Sequence, residues 1–254
     1  MARKELDSEW KDWVRANVER GCSKDELFSI LLREGFAREA AHRALNPIRI
    51  GTLKRLDTDR AELYCAEEFL TEEECEHLIG LMKDHLRPST ITIADEPDQF
   101  FRRSQTCDLG LLQDPVTERI DRRICEAMQI DPALAEPTQA QRYDVGDEFK
   151  AHTDYFEAYE LERFSTPDWG QRSWTFMIYL NEPAEGGETA FMNLGLSIKP
   201  RAGRAVIWNN LLPDGQPNPD TLHHGMPVKK GMKAIITKWF RQKKTGTPVF
   251  RSFT

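Results

Sequence analysis

The chain has 254 residues, a formal net charge of −7 at neutral pH and 39% hydrophobic residues. This composition is typical of a globular protein, and the negative charge disfavours non-specific binding to nucleic acid, which depends on clustered Lys and Arg. No apolar run is long enough to cross a bilayer, and the first residues lack the apolar stretch of a secretory signal.

Five cysteines are spread along the chain, at Cys22, Cys65, Cys75, Cys107 and Cys125. Their odd number and the absence of a CxxC pair predict free thiols in the reducing cytosol, rather than a disulfide framework or a zinc–thiolate site. We therefore expect a cytoplasmic protein that does not act at a membrane.

The first part of the chain has the periodicity of short helices. Apolar residues recur at helical spacing over residues 9–46, and Ser23 with Glu26 forms the pattern of a capping box at the start of the second helix. The sequence predicts a small helical bundle over residues 1–47. Two interpretations stay open for it, a packing appendage of the main domain or a module that binds a protein partner.

A second domain is predicted over residues 48–254. It opens with a short strand, AELYCAEEFL, which is followed by two amphipathic helices, TEEECEHLIGLMKDHL and DPVTERIDRRICEAM. From residue 139 onward, short apolar or alternating runs are separated by Gly, Pro, Asp and Asn. Many short strands with such turns favour an antiparallel sandwich or barrel.

The stretch EFKAHTDYFEAY places His152 two residues before Asp154 in a run that is typical of a strand. Alternation along a strand directs both side chains to one face, where they form either a surface pair or two ligands of a metal. A distant predicted strand offers His223 and His224, only one of which can face inward. Two histidines and one carboxylate form the facial triad that binds non-haem iron(II) and leaves other coordination positions open.

Residues from about 60 to 242 resemble the 2-oxoglutarate- and iron(II)-dependent oxygenases of the prolyl 4-hydroxylase branch. The resemblance rests on motifs that occur in the order typical of the family. They are found in QRYDVGDEFKAHTDYF, RSWTFMIYLNEPAEGGETAF, GRAVIWNNL and HHGMPVKKGMKAIITKW.

The resemblance implies an α+β fold with a jelly-roll core, the double-stranded β-helix, flanked by helices. It implies iron(II) and 2-oxoglutarate as cofactor and cosubstrate, with ascorbate as a further reductant. His152, Asp154 and His223 match the metal ligands of the family, because the spacing from the Pro-Val pair selects His223 over His224. The presence of Asp154 indicates hydroxylation, since a halogenating relative would lack this carboxylate.

Four further positions match residues around the cosubstrate. Lys233 stands where the family has the cation for the 5-carboxylate of 2-oxoglutarate, although it could also be an exposed strand-edge lysine. Thr175 matches a hydroxyl that supports the same carboxylate, Tyr143 a pocket tyrosine, and Trp239 a pocket wall. Each of these three could also be an ordinary strand or core residue.

The resemblance implies a peptide or protein substrate, most simply a proline-containing one, and release of succinate and CO₂. Lys233 in place of Arg argues against the nucleic-acid demethylase branch. Phe149 replaces the tyrosine expected three residues before the first ligand, so a free amino acid or a non-proline residue remains an alternative substrate. A non-catalytic or sensory jelly roll remains the alternative from a different class. The long polar connection over 157–171 is expected to help cover substrate or to anchor itself through its aromatic residues.

Overall fold

A computed structural model describes residues 6–45, 53–89, 102–158, 161 and 169–242. The chain divides into two compact units, residues 1–50 and 51–254. None of the helices in the described ranges has the length and apolar character needed to cross a membrane.

The first unit consists of three helices, α1 (Ser8–Glu19), α2 (Lys24–Arg33) and α3 (Arg38–Leu45). α1 begins after Asp7, whose side chain accepts a hydrogen bond from the main-chain N–H of Trp10. The capping box predicted for α2 is wrong, because the Ser23 side chain makes no hydrogen bond to the first turn. The helices share an apolar cluster of Leu6, Val14, Leu27, Leu31, Phe36, Ala40, Ala41 and Leu45.

The second unit contains two longer helices, α4 (Glu72–Met82) and α5 (Pro115–Met128). Thr71 and Glu74 form a complete capping box at the start of α4. Glu74 also accepts a hydrogen bond of 2.8 Å from Arg123 on α5, so the two helices are joined by an ion pair close to one helix end.

The strands of the second unit are short, apart from two central ones. They are β1 (Lys54–Arg55), β2 (Leu63–Ala66), β3 (Arg87–Pro88), β4 (Gln105–Cys107), β5 (Gln139–Tyr143), β6 (Phe149–His152), β7 (Arg172–Tyr179), β8 (Glu185–Gly186), β9 (Thr189–Phe191), β10 (Leu196–Ile198), β11 (Ala205–Asn209), β12 (His223–Gly225), β13 (Val228–Lys230) and β14 (Lys233–Arg241).

These strands form a jelly roll. An eight-stranded sheet has the order β1-β2-β11-β7-β14-β5-β4-β3, a four-stranded sheet has the order β10-β9-β12-β6, and β13 pairs with β8. Every pairing is antiparallel. The core between the two larger sheets combines residues such as Tyr179 and Trp208 from one with Phe191 and Ile198 from the other. The fold expected from the strand pattern is therefore confirmed for the core.

Strand β14 occupies the centre of the larger sheet, between β7 and β5. All nine of its residues are buried, although two of them are lysines. Alternation directs Lys233 toward the space between the sheets, whereas Lys238 points the other way and pairs with Asp121 on α5 at 3.0 Å. The sheet thus places one buried cation inside the jelly roll and one behind it.

Candidate metal and cosubstrate site

Three side chains meet on the smaller sheet. His152 at the end of β6 pairs with His223 at the start of β12, and their ring centroids lie 4.3 Å apart. His152 Nε2 is 3.8 Å from Asp154 Oδ1. One ligand atom from each of the three residues lies within 4.8 Å of the others, which is the spacing expected around one metal ion.

The predicted strand through Asp154 is wrong in its extent. β6 ends at His152, and Asp154 lies in the bend that follows. The carboxylate nevertheless points to the same place as the imidazole. The choice between the two adjacent histidines agrees with strand alternation, because His224 faces away and contacts Glu148 at 2.8 Å.

Main-chain carbonyls determine the tautomer of both inward histidines. His152 Nδ1 lies 2.7 Å from the Lys150 carbonyl, and His223 Nδ1 lies 3.0 Å from the Thr221 carbonyl. Because a carbonyl oxygen only accepts, each Nδ1 carries a proton and donates it, and each Nε2 is the ring nitrogen left to face a metal. Burial, reinforced by the neighbouring His223, lowers the pKa of His152 well below its usual value and favours the neutral ring.

A chain of hydrogen bonds holds Asp154. Thr175 Oγ1 donates to Asp154 Oδ2 at 2.7 Å, and Asn210 Nδ2 donates to Thr175 Oγ1 at 2.9 Å. Burial alone would raise the pKa of Asp154, but the two histidines, Arg172 and the Thr175 hydroxyl favour the carboxylate and lower it. Oδ1 is therefore available to a metal while Oδ2 is fixed from behind.

These groups fit iron(II). In each candidate ligand one polar atom bonds to the protein: Nδ1 in the two histidines and Oδ2 in Asp154. The three residues each have a ligand atom close to those of the other two. Two imidazoles and one carboxylate on one side of an ion are the donor set of non-haem iron(II) sites. The residues present thus satisfy the chemistry that the sequence motif predicts.

The triad lies on the wall of a cavity whose lining also includes Lys233, Tyr143 and Trp239. Lys233 is 2% exposed, so it is not the strand-edge lysine that the sequence left open. Its Nζ lies 5.3 Å from the ring centroid of Tyr143 and 5.5 Å from that of Tyr179. Within the described residues it forms no salt bridge, and burial, only partly offset by the charge of Glu188, lowers its pKa to about 7.

In the structure the Thr175 hydroxyl has a partner other than the cosubstrate carboxylate expected from the sequence. A hydroxyl has one proton, and that of Thr175 is donated to Asp154. Thr175 is also absent from the described residues that line the cavity. Thr189, from the GGETAF segment, does line it and accepts a hydrogen bond of 2.6 Å from Tyr179. Thr189, which the sequence analysis did not single out, therefore contributes a threonine side chain to the cavity that Lys233 also lines.

Tyr143 and Trp239 both line the cavity, and each has its own partners. The Tyr143 hydroxyl hydrogen-bonds with Ser104 and Arg102. The Trp239 ring is covered by the Arg172 guanidinium at 4.1 Å, and its buried Nε1 finds no hydrogen-bond acceptor in the described part of the chain. Both residues thus line the same cavity as the triad, and their contact with a cosubstrate or substrate stays a prediction.

Sequence reasoning missed Arg102, which lines the cavity beside the triad. Its guanidinium lies 4.6 Å above the Phe149 ring, and that ring stacks on His152 with centroids 3.5 Å apart. Phe149, noted only as a departure from the family, therefore covers one face of a candidate ligand. Of the aromatic residues in the connection over 157–171, Tyr159 and Phe164 lie outside the described residues, and Trp169 contacts Arg241.

Comparison with known proteins agrees with this site. Residues 138–241 match the family model of the 2OG-Fe(II) oxygenase superfamily. The chain is 31% identical over 234 residues to probable prolyl 4-hydroxylase 3 of Arabidopsis thaliana, covering 76% of this chain and 80% of that protein. It is 36% identical over 203 residues to prolyl 4-hydroxylase 5 of the same plant, covering 71% and 68%.

Among solved structures, the chain is similar to a 2-oxoglutarate complex of the viral collagen prolyl hydroxylase vCPH from Paramecium Bursaria Chlorella virus-1. The TM-score is 0.57 at 27% identity, covering 72% of this chain and 96% of that one. The motif order, the jelly roll, the His-Asp-His cluster and these relatives agree. The chain belongs to the 2OG-Fe(II) oxygenase superfamily and is a prolyl 4-hydroxylase-like dioxygenase that uses iron(II) and 2-oxoglutarate.

Proposed function

We propose that this protein hydroxylates proline residues of a peptide or protein substrate. Each turnover would consume one O₂ and one 2-oxoglutarate, release succinate and CO₂, and convert one prolyl C–H bond into C–OH. The relatives named prolyl 4-hydroxylase support the choice of proline. The observation that carries the proposal is the convergence of the triad and the buried Lys233 on one cavity.

In this proposal His152, Asp154 and His223 hold the iron through two Nε2 atoms and one carboxylate oxygen. When bound, iron(II) with 2-oxoglutarate supplies the O₂ activation needed to oxidise an unactivated C–H bond. The Lys150 and Thr221 carbonyls hold the two Nδ1–H groups, which leaves each Nε2 for the metal, and the Thr175 hydroxyl supports the Asp154 carboxylate from behind.

Lys233 would bind the far carboxylate of 2-oxoglutarate, with Thr189 and Tyr143 beside it. An ammonium group enclosed by two tyrosine rings is costly to bury without a counter-ion. A dicarboxylate that reaches from the triad to Lys233 would provide that counter-ion.

Apolar and aromatic residues form much of the remaining wall of the cavity. They include Met177, Ile235, Trp208, Phe149 and Trp239. Such a lining excludes bulk water from the reacting atoms and limits side reactions. Phe149 cannot hydrogen-bond as a tyrosine would, so substrate positioning would depend on other donors, among which Arg102 and Trp239 are placed in the lining.

The test is release of succinate from 2-oxoglutarate in the presence of iron(II) and proline-containing peptides, with His152→Ala as the control. We expect substrate-stimulated succinate release by the natural protein and none by the variant. Iron bound by the natural protein without succinate release for any candidate substrate would instead support the non-catalytic binding module.

We also propose that residues 1–47 form a separate helical bundle that binds a protein partner. Its support is that the three helices share an apolar cluster of their own. Pull-down experiments with residues 1–50 attached to a carrier protein, compared with a version in which Leu31 is changed to Asp, would test it. Equal recovery of partners by both would contradict the proposal.

Two smaller proposals concern conditions of activity. The five free cysteines support a cytoplasmic location, which fractionation of expressing cells would test.

We propose that ascorbate sustains turnover by keeping the iron reduced, and omission of ascorbate should then shorten the linear phase of succinate release. An unchanged time course would contradict this.

A further inference from the structure

The turn that carries Asp154 is not part of either sheet. β6 ends at His152. Within the described residues, the main chain of Thr153, Asp154 and Tyr155 has no hydrogen-bond partner on another element. The direction of the Asp154 carboxylate therefore depends on groups that hold the turn from outside, and Thr175 is one of them.

Gln171 holds the same turn at two points. Its side-chain oxygen accepts a hydrogen bond from the Phe156 N–H at 2.6 Å, and its side-chain nitrogen donates to the Phe156 carbonyl at 2.7 Å. Gln171 is 6% exposed, so water offers little replacement for these bonds. The residue immediately precedes β7, and its own N–H donates to the Gln242 side chain at 3.1 Å. The clamp thus attaches Phe156, just beyond Asp154, to the strand that carries Thr175.

Asn181 forms the same kind of clamp beyond the other end of β7. Its side-chain nitrogen donates to the Met232 carbonyl at 2.7 Å, and its side-chain oxygen accepts from the Ala234 N–H at 2.7 Å. These two partners flank Lys233. The paired register between β7 and β14 ends at Tyr179 and Ile235, and one further main-chain bond runs from the Leu180 N–H to the Ala234 carbonyl. The Asn181 side chain binds the main chain on both sides of Lys233 where the paired register stops.

We propose that Gln171 and Asn181 are positioning residues for the reaction. Gln171 orients the Asp154 carboxylate toward the metal, and Asn181 orients Lys233 toward the far carboxylate of 2-oxoglutarate. The inference rests on the roles proposed above for Asp154 and Lys233. Neither amide is among the described residues that line the cavity, so each acts through the main chain that it holds. Because the clamps lie at opposite ends of β7, their effects are separable.

The test compares two variants, Gln171→Leu and Asn181→Leu. Leucine is similar in size to each amide residue but cannot form the hydrogen bonds of the clamp. Two dissociation constants are measured for each: that of Mn(II) alone, by electron paramagnetic resonance, and that of 2-oxoglutarate in the Mn(II)-loaded protein, by calorimetry. We expect Gln171→Leu to weaken Mn(II) binding about tenfold or more, as loss of support behind a metal ligand does. We expect Asn181→Leu to weaken 2-oxoglutarate binding about tenfold while Mn(II) binding is unchanged.

Each variant is therefore the control for the other. Equal losses of both affinities in the two variants, or an unchanged Mn(II) affinity in Gln171→Leu, would refute the assignment. If a leucine variant does not fold, Gln171→Glu and Asn181→Asp are used instead. They keep the hydrogen bond accepted by the side-chain oxygen and lose the one donated by the amide nitrogen. Gln171→Glu must then weaken Mn(II) binding, and Asn181→Asp must weaken 2-oxoglutarate binding but not Mn(II) binding. Succinate release by the natural protein is measured separately. Its failure would contradict the proposed function, whereas unchanged affinities in both variants would contradict only this inference.

Discussion

Two lysines of β14 are buried but differ in their electrostatic partners. Lys238 is 0% exposed and pairs with Asp121 at 3.0 Å, whereas Lys233 forms no salt bridge in the described part of the chain and is acted on by Glu188 only at longer range. We predict that Lys238→Met lowers the free energy of unfolding by about 3–5 kcal/mol, because it leaves the Asp121 carboxylate buried without its cation. Urea unfolding would measure this free energy. A loss as small as that caused by substitution of an exposed lysine would contradict the prediction.

Lys233 should show the opposite behaviour in the ligand-free protein. Burial lowers its pKa to about 7, so the folded state disfavours the ammonium form. This penalty is fully present below pH 7 and is relieved as the pH rises toward the ordinary value near 10.5. We predict that Lys233→Met stabilises the protein at pH 6 and that the gain shrinks by pH 9. A Lys233→Met variant less stable than the natural protein at pH 6 would show that the lysine is structural.

The same pKa predicts how 2-oxoglutarate binding depends on pH. Below pH 7 the ammonium group is already charged, whereas above pH 7 the lysine must take up a proton when the dicarboxylate binds. The affinity should therefore fall by up to about tenfold for each pH unit above 7. Calorimetry on the Mn(II)-loaded protein in buffers of different ionisation enthalpy would detect the proton uptake. An affinity that does not change between pH 7 and pH 9 would contradict the prediction.

The hydroxyl of Thr175 should matter for the metal rather than for the cosubstrate. Thr175→Val keeps the shape of the side chain but removes the bond to Asp154, whereas Thr175→Ser keeps a hydroxyl. We predict that the valine variant binds Mn(II) about tenfold more weakly or worse and that the serine variant binds it nearly normally. Equal Mn(II) affinity in both variants would show that the hydroxyl does not support the carboxylate.

Residue roles of this kind were beyond the reach of the sequence. The sequence placed Thr175 near the site but did not predict that its hydroxyl bonds to Asp154. That bond depends on how β7 lies beside the turn after β6. Arg102 carried no motif, and its position beside Phe149 follows from a bridge between distant segments. By contrast, strand alternation required that only one of His223 and His224 face inward. The resemblance to the family, through the spacing from the Pro-Val pair, was then sufficient to select His223.

At the scale of the elements, the turn next to β8 places a strict demand on Gly186. This residue has φ of +80°, and an added Cβ would lie 2.3 Å from the Pro227 carbonyl oxygen. Gly146 also has a positive φ of +86°, but an added Cβ there meets nothing within 4 Å. We predict that Gly146→Ala costs about 1–2 kcal/mol from the backbone conformation alone. Gly186→Ala should lower the free energy of unfolding clearly more than Gly146→Ala does, as measured by thermal unfolding. Equal losses in the two variants would contradict the close approach of the Pro227 carbonyl to Gly186.

Element boundaries were less predictable than element types. The helices α4 and α5 follow from the helical spacing of their apolar residues. The strands β7 and β14 follow instead from short apolar runs, because they are buried over most or all of their length. The end of β6 at His152 was missed, since HTD alternates as a strand would, while the chain turns away from β12 after His152. The glycine pair of the GGETAF segment was read as a turn, yet Gly186 also pairs with Val228.

At the scale of the whole molecule, the residues of the candidate site all belong to the second unit, residues 51–254. We predict that a chain beginning at residue 51 keeps iron(II)- and 2-oxoglutarate-dependent succinate release with short peptide substrates. Succinate release per mole of folded protein would be compared with that of the full chain. Loss of turnover in a folded shortened chain would show that the first helices contribute to catalysis.

The central claim is that two imidazoles and one carboxylate hold the iron that hydroxylates proline. It is tested most directly by turnover under ¹⁸O₂ with proline-containing peptides, followed by mass spectrometry of both products. The account predicts one ¹⁸O atom on a proline of the peptide, one ¹⁸O atom in succinate, and neither product from Asp154→Ala. Labelled succinate without any labelled proline would contradict the proposed substrate, and labelled products from Asp154→Ala at the natural rate would contradict the site itself.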